Sequence, residues 1–446
     1  IYIMRRLLFI FSFLSLLVVD GKAQEVEILT LEDCLRIGID NNLSLEGKRK
    51  EIQKSKYGVS ENRSKLLPQI TAIAGYNNNF DPPVSVTDGS SYGVPYNITK
   101  TLQHTANAGL EMQMPLFNQT LYTSMSIAKV MEEISRLSYG KAREDIIMQI
   151  SKMYYLGQVT AEQIVLIKAN ITRLEELRDI TQAFFDNGMS MEVDLKRVNI
   201  NLENLKVQYD NAQAMMKQQL NMLKYIMDYP AEKEIALTPV NTDSITTVAL
   251  TGLSENIYEL QLSQSQVQLA ERQKKIITNG YIPSLSLTGS WRYAAYTDKG
   301  YHWFHSGPSN QWFRSYGVGL TLRIPIFDGL DKTYKIKKAM IDIENKRLAW
   351  EDARKNLQTQ YLNAVNDLMN NQRNFKKQKD NYLLAEDVYA VTSDRYREGI
   401  ASMTEVLQDE MQMSEAQNNY ISAHYNYRVT NLMLLKLTGQ IESLVK

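Results

Sequence analysis

Between Leu330 and Arg397 the sequence contains neither proline nor glycine. Nothing in that run stops a helix, and at about 1.5 Å per residue it reaches roughly 100 Å. Apolar residues recur along it at alternating spacings of 4 and 3: Leu357, Tyr361, Ala364 and Leu368, then Phe375, Tyr382, Ala385, Tyr389 and Tyr396. Polar Asn371, Gln378 and Thr392 occupy the intervening seam positions. This is a coiled-coil pattern. With only 10 prolines in 446 residues and no flexible linker between its halves, the chain reads as one extended architecture, not a string of globules.

A strand leads into this helix. From Tyr316 to Ile324, Tyr316, Val318, Leu320, Leu322 and Ile324 alternate with Gly317, Gly319, Thr321 and Arg323, the period of a half-buried strand. Pro325, two residues before Phe327, has no amide hydrogen to donate and is expected to end the ladder. The same order occurs about 210 residues upstream. There Ala106, Ala108, Leu110, Met112 and Met114 alternate with Asn107, Gly109, Glu111 and Gln113, then Pro115 and Phe117 precede a second long helical run. The chain is a tandem duplication of one strand-to-long-helix unit.

The expected organisation is a leader at 1–23, a first repeat at 24–228, a joining segment at 229–253 and a second repeat at 254–446. In the first repeat the spacing predicts a hairpin at 69–114, a long helix at 119–183 and a return helix at 191–227. In the second it predicts a hairpin at 283–324, a long helix at 330–397 and a return helix at 404–438. Residues 80–103, with Pro82, Pro83 and Pro95, read as a loop. In the first repeat the long helix matches the summed length of the two shorter ones, so a helical wall of roughly constant height is expected.

The leader has Arg5-Arg6, an apolar run from Leu7 to Val19 and Gly21-Lys22-Ala23, the order of a secretory signal with cleavage after Ala23. No later stretch is apolar enough for a spanning helix, so the chain is expected to meet a membrane only through strands. Cys34, the lone cysteine, reads as a buried helix position. Lys+Arg and Asp+Glu balance at 50 each, leaving no basic excess for a nucleic acid. No phosphate loop, nucleophile elbow or His-Glu-x-x-His motif is present, so no enzymatic activity and no cofactor is expected. His302 and His305 flank Trp303-Phe304 in an expected external loop without the carboxylates or cysteines of a metal site.

The ordered set of motifs resembles the TolC-like outer-membrane efflux protein family. It comprises Leu29-Thr30-Leu31-Glu32-Asp33-Cys34-Leu35 with Asn41-Asn42, then Leu67-Pro68-Gln69-Ile70, Ile282-Pro283-Ser284-Leu285 and the two Pro-x-Phe exits. It closes with the run from Tyr396 through Gly399 and Glu405 to Leu437-Thr438-Gly439. The resemblance implies a mainly helical protomer with membrane β-strands, three copies of which form a 12-stranded β-barrel continued by an α-helical barrel. It implies a passive exit duct in the outer membrane of a Gram-negative bacterium, with a large periplasmic portion. Its partners would be outer-membrane lipid, a periplasmic adaptor, and an inner-membrane transporter of the proton-driven (RND) or ATP-driven (ABC) class, in efflux or type I secretion. Four strands cannot close a barrel alone, which excludes a monomeric one. A soluble periplasmic coiled-coil adaptor or chaperone would share the signal sequence and the helices.

The resemblance also places a gate at the two glycine turns. Gly188 and Gly399 would form the turns that receive the adaptor. Asp194 and Glu405 would supply acidic rings, which favour cations. Tyr396 matches the tyrosine that bonds the first repeat's acid in the closed state. Ala401 stands where the family pattern has arginine and Gln408 where it has a second acid, leaving Arg395 and Arg397 as candidates to replace the missing charge. The plainer role for Asp194 and Glu405 is to cap or solvate helix starts.

Overall fold

The computed structural model describes residues 26–88, 90–100, 102–240, 252–297 and 312–445. The leader and the His302/His305 pair lie outside them. Two compact units emerge. One contains residues up to Arg49, Ser138–Gln261 and Ala353–Lys446; the other contains Lys50–Leu137 and Leu262–Asp352.

The second unit carries the sheet. Its four long strands are β2 (Gln69–Asn78), β5 (His104–Phe117), β7 (Ser284–Thr297) and β8 (Trp312–Arg323), antiparallel in the order β2-β5-β7-β8. The register sorts the faces. Thr71, Glu111 and Ser290 lie opposite one another on the polar face, joined by Gln69, Gln113, Thr288 and Arg292. Ala72, Leu110, Trp291 and Tyr316 share the other face with Ile70, Leu287 and Leu320. Arg292 pairs with Glu111 across β5 and β7. Gly109 is required where those strands meet, because a Cβ there would come within 2.3 Å of the Trp291 carbonyl oxygen. β8 is exposed throughout and forms one open edge; β2 forms the other.

Two sequence expectations are corrected here. The ladder does not stop at Pro115: β5 runs on to Phe117, with a register shift between Pro115 and Phe117. A bulge relieves proline of the ladder bond it cannot donate. In the second repeat β8 ends at Arg323, two residues before Pro325. The stretch at 80–103 is not a plain loop, since β3 (Val84–Asp88) and β4 (Tyr96–Lys100) pair as a hairpin. The prolines sit outside its strands, where no ladder amide is lost.

Seven helices are described: α1 (Leu31–Asn41), α2 (Leu43–Ser64), α3 (Gln119–Asp186), α4 (Glu192–Met227), α5 (Tyr258–Asn279), α6 (Asp331–Arg397) and α7 (Met403–Leu437). α3 and α6 have 68 and 67 residues. None of the described helices is long and apolar enough to cross a membrane. Thr30 and Asp33 form a capping box on α1. Asn42 caps α2 through Leu45 and donates to the Ile226 carbonyl at 2.8 Å, so α2 begins where α4 ends. In the second repeat the Ser254 amide bonds the Leu437 carbonyl at 3.2 Å, joining the end of α7 to the segment before α5.

In the first unit, β1 (Glu27–Leu29) pairs in parallel with β6 (Ile235–Leu237) of the joining segment. This ribbon is tied to α3 by the Tyr154 hydroxyl, which donates to the Leu29 carbonyl at 3.3 Å, and by Gln158, which donates to the Thr238 carbonyl at 2.7 Å. Cys34 is fully buried beside it, and burial pushes its thiol pKa up to about 12.

Candidate functional site

The two glycine turns have the same local geometry. Gly188 has φ 74° and Gly399 φ 76°, the left-handed conformation that glycine adopts without steric cost. Met189 N–H bonds the Phe184 carbonyl and Ile400 N–H the Arg395 carbonyl, both at 2.8 Å, closing each long helix with a Schellman-type turn. Both turns share one core. Leu174 and Leu177 of α3, Val198 and Leu202 of α4, Tyr389 and Tyr396 of α6, and Val406 and Met413 of α7 pack together there. Phe184 meets the Tyr396 ring at 5.6 Å between centroids.

Asp194 and Glu405 each stand six residues beyond their glycine, in the first turns of α4 and α7. Glu405 accepts from the Ser402 amide at 2.7 Å and the Ser402 hydroxyl at 3.1 Å, completing a capping box. Those two donors hold its carboxyl below the ordinary range, with a smaller pull from Arg395. Asp194 pairs instead with Arg197 at 3.5 Å, and Arg197 also donates to the Thr404 hydroxyl at 3.3 Å, tying α4 to α7. Tyr396 is buried, and its hydroxyl donates to Thr181 Oγ1 of α3 at 3.3 Å. The partner of Tyr396 within this protomer is therefore Thr181, while Asp194 is engaged by Arg197. Arg397 reaches Glu176 of α3 at 3.5 Å, and Ala401 packs against the shared core.

Sequence reasoning missed a polar seam running away from the turns between α3, α6 and α7. Arg173 of α3 sits over the Tyr389 ring at 5.9 Å and pairs with Glu386 at 3.6 Å. Asn170 and Gln417 exchange amide hydrogen bonds of 2.7 and 3.4 Å. Glu410 is buried close by, one carboxylate oxygen lacks a partner among the described residues, and burial raises its pKa against the opposing pull of Arg173. Farther along, His424 is fully buried and accepts at Nε2 from Arg428 at 3.0 Å. Its Nδ1 faces the Glu162 carboxylate at 3.5 Å. Tyr420 donates to the same carboxylate at 3.1 Å, and Phe375 stacks on Tyr420 and Tyr427. The α7 members 410, 413, 417, 420, 424 and 428 follow spacings of 3 and 4, a signal available in the sequence.

The arrangement is two matched helical turns packed on one core. The family model for outer membrane efflux proteins matches residues 37–227 and 249–440, one match to each repeat. The chain belongs to the outer membrane efflux protein family. Among its relatives, the outer membrane protein TolC of Vibrio cholerae serotype O1 is 21% identical over 399 residues, covering 86% of this chain and 84% of that protein. The probable efflux pump outer membrane protein TtgC of Pseudomonas putida is 23% identical over 379 residues, covering 80% and 75%. Among solved structures, CusC superposes with a TM-score of 0.76 at 15% identity, covering 95% of each chain. The open state of the Neisseria gonorrhoeae outer-membrane channel MtrE gives 0.73 at 18% identity, covering 92% of this chain and 88% of that one. Efflux-protein membership displaces the soluble adaptor or chaperone that a signal sequence and coiled coils would also suit.

Proposed function

We propose that this efflux protein is the outer-membrane exit duct of a tripartite efflux or type I secretion system. Three copies close a 12-stranded barrel, and the helices continue it into the periplasm. The observation that carries this reading is the sheet: one face apolar, one polar, and both edges unpaired among the described residues. In lipid an open edge costs several kcal/mol for each unsatisfied group, so the sheet must close with other copies. Transport is passive. A periplasmic adaptor engages the turns at Gly188 and Gly399, and an inner-membrane transporter of the RND or ABC class supplies the energy.

Asp194 and Glu405 form the acidic rings of the aperture in this reading, and Tyr396 latches α6 to α3 in the closed form. Glu405 serves its helix cap and stays exposed, so both roles fit one carboxylate. The test is the conductance of detergent-purified protein in planar bilayers, with its mass measured on the same preparation. A trimer with small, cation-preferring openings is expected, and Asp194→Asn with Glu405→Gln should shift the reversal potential toward zero. A soluble monomer without conductance would sink the duct, and an unchanged reversal potential would remove the acidic rings.

A further inference from the structure

The second unit is basic on a chain that is neutral overall. Its two segments carry 21 Lys and Arg against 15 Asp and Glu, while the whole chain has 50 of each. The excess gathers beside the sheet. β2 and β7 begin, and β5 and β8 end, at one end of the sheet, where all four strands join helices. There the first eight residues of α6, Asp331–Lys338, hold four lysines. Lys274 and Lys275 lie near the end of α5.

Between α5 and α6 lies a groove of about 990 Å³. Its lining includes apolar Met340, Ile341 and Ile343, and its charged members are Lys274, Lys275, Lys337 and Arg347 against Glu271 and Glu344. Several neighbouring cations are already neutralised: Lys332 by Asp328 at 2.9 Å, Lys335 by Asp331 at 2.7 Å and Arg347 by Glu271 at 2.7 Å. Among the described residues Lys274, Lys275, Lys337 and Lys338 form no ion pair. Ile326 and Phe327, between the sheet and these lysines, are 93% and 82% exposed. Lys337 sits over the Tyr334 ring at 5.7 Å, and along the chain the order is apolar sheet face, exposed apolar collar, lysines outside ion pairs. That is the order of a membrane in section: acyl chains, interface, headgroups.

We infer that the α5–α6 groove and its lysines bind anionic phospholipid headgroups of the leaflet adjoining the helical end of the sheet. The lysine stems lie along the apolar part of the lining while the ammonium groups reach the phosphates. The inference rests on the sheet being membrane-embedded. It adds a lipid preference that the duct itself does not require.

The test uses the full-length protein in vesicles of equal parts phosphatidylglycerol and phosphatidylcholine. The protein is extracted with detergent, and the lipid retained on it is quantified by mass spectrometry. Retained phosphatidylglycerol should exceed phosphatidylcholine by about threefold or more. Lys274→Gln, Lys275→Gln, Lys337→Gln and Lys338→Gln combined should lose most of that enrichment. The double variant Lys337→Gln with Lys338→Gln should lose part of it. Lys376→Gln with Lys377→Gln, the same charge change farther along α6, should leave it intact. Equal retention of the two lipids by the wild type overturns the inference and needs no variant. So does enrichment that survives the four substitutions, or that falls equally in the Lys376/Lys377 control. A variant that loses trimer mass but keeps its enrichment would mark the lysines as a contact between copies, again overturning it. Conductance recorded on the same preparation separates the two readings: conducting protein without enrichment rejects lipid binding alone, and non-conducting soluble protein rejects the duct.

Discussion

The Tyr396 hydroxyl links the α6 end of its turn to the buried Thr181 side chain, which itself donates to the Leu177 carbonyl at 2.7 Å. Tyr396→Phe removes a bond worth about 1 kcal/mol and leaves the ring packed against Phe184. If the bond belongs to the closed form, the open-to-closed ratio in single-channel records rises by about fivefold, since 1.4 kcal/mol is a factor of ten. An unaltered ratio with a lowered melting point would make Tyr396 a structural residue only. Glu144 of α3 gives a pH prediction. It is 4% exposed, and burial raises its pKa from an ordinary 4.5 to about 7, with Lys436 pulling the other way. The folded chain then keeps a proton that the unfolded chain releases, so stability falls as pH rises from about 4.5 to about 7 and levels off above. The loss is on the order of 3 kcal/mol at most. Thermal midpoints measured across that range should decline in the wild type and decline less in Glu144→Gln; parallel curves would show that Glu144 does not carry the effect.

At the scale of elements, the α3–α7 seam makes the next prediction. Gln417→Leu leaves the Asn170 amide short of a partner in a buried site and should cost about 1 to 3 kcal/mol. Asn170→Leu should cost more, because Asn170 also accepts from Arg173. The double variant should cost less than the sum of the two, and strict additivity of the melting shifts would show that the amides are not coupled. This seam marks where the sequence was hard to read. The α6 seam was legible because its apolar members recur at coiled-coil spacing: Leu357, Tyr361, Ala364, Tyr389 and Tyr396 are all buried, and Asn371 finds Thr430 at 2.9 Å. On α7 the matching positions include Glu410, Gln417, His424 and Arg428, so a search for apolar periodicity passes over them. β8 was legible from its alternation, though it begins at Trp312 instead of Tyr316. β1 and β6, at three residues each, are too short to show a period. The β3–β4 hairpin was hidden by flanking prolines. The Ser402-x-x-Glu405 spacing is itself that of a capping box, whereas the contact of Asp194 with Arg197 depends on a rotamer that spacing does not fix.

For the whole molecule the question is how the sheet closes. Within one protomer β2 and β8 are separated by β5 and β7. Three strand spacings put them about 14 Å apart, and a disulfide needs Cα atoms within about 7 Å of each other. A disulfide between β2 and β8 therefore has to join two copies. Cys34 does not interfere, since it is buried and its thiol stays protonated at neutral pH. Cysteine at Ala72 of β2 can be combined in turn with cysteine at Val318, Leu320 or Leu322 of β8, all on the same apolar face. Because strands pair in one register, one of the three combinations should cross-link far better than the others. Oxidation of that variant in vesicles should convert the monomer band to dimers and closed trimers, stopping at three. A ladder continuing beyond three would mean that the edges pair without closing, and no product in any combination would leave the two edges covered by something other than each other.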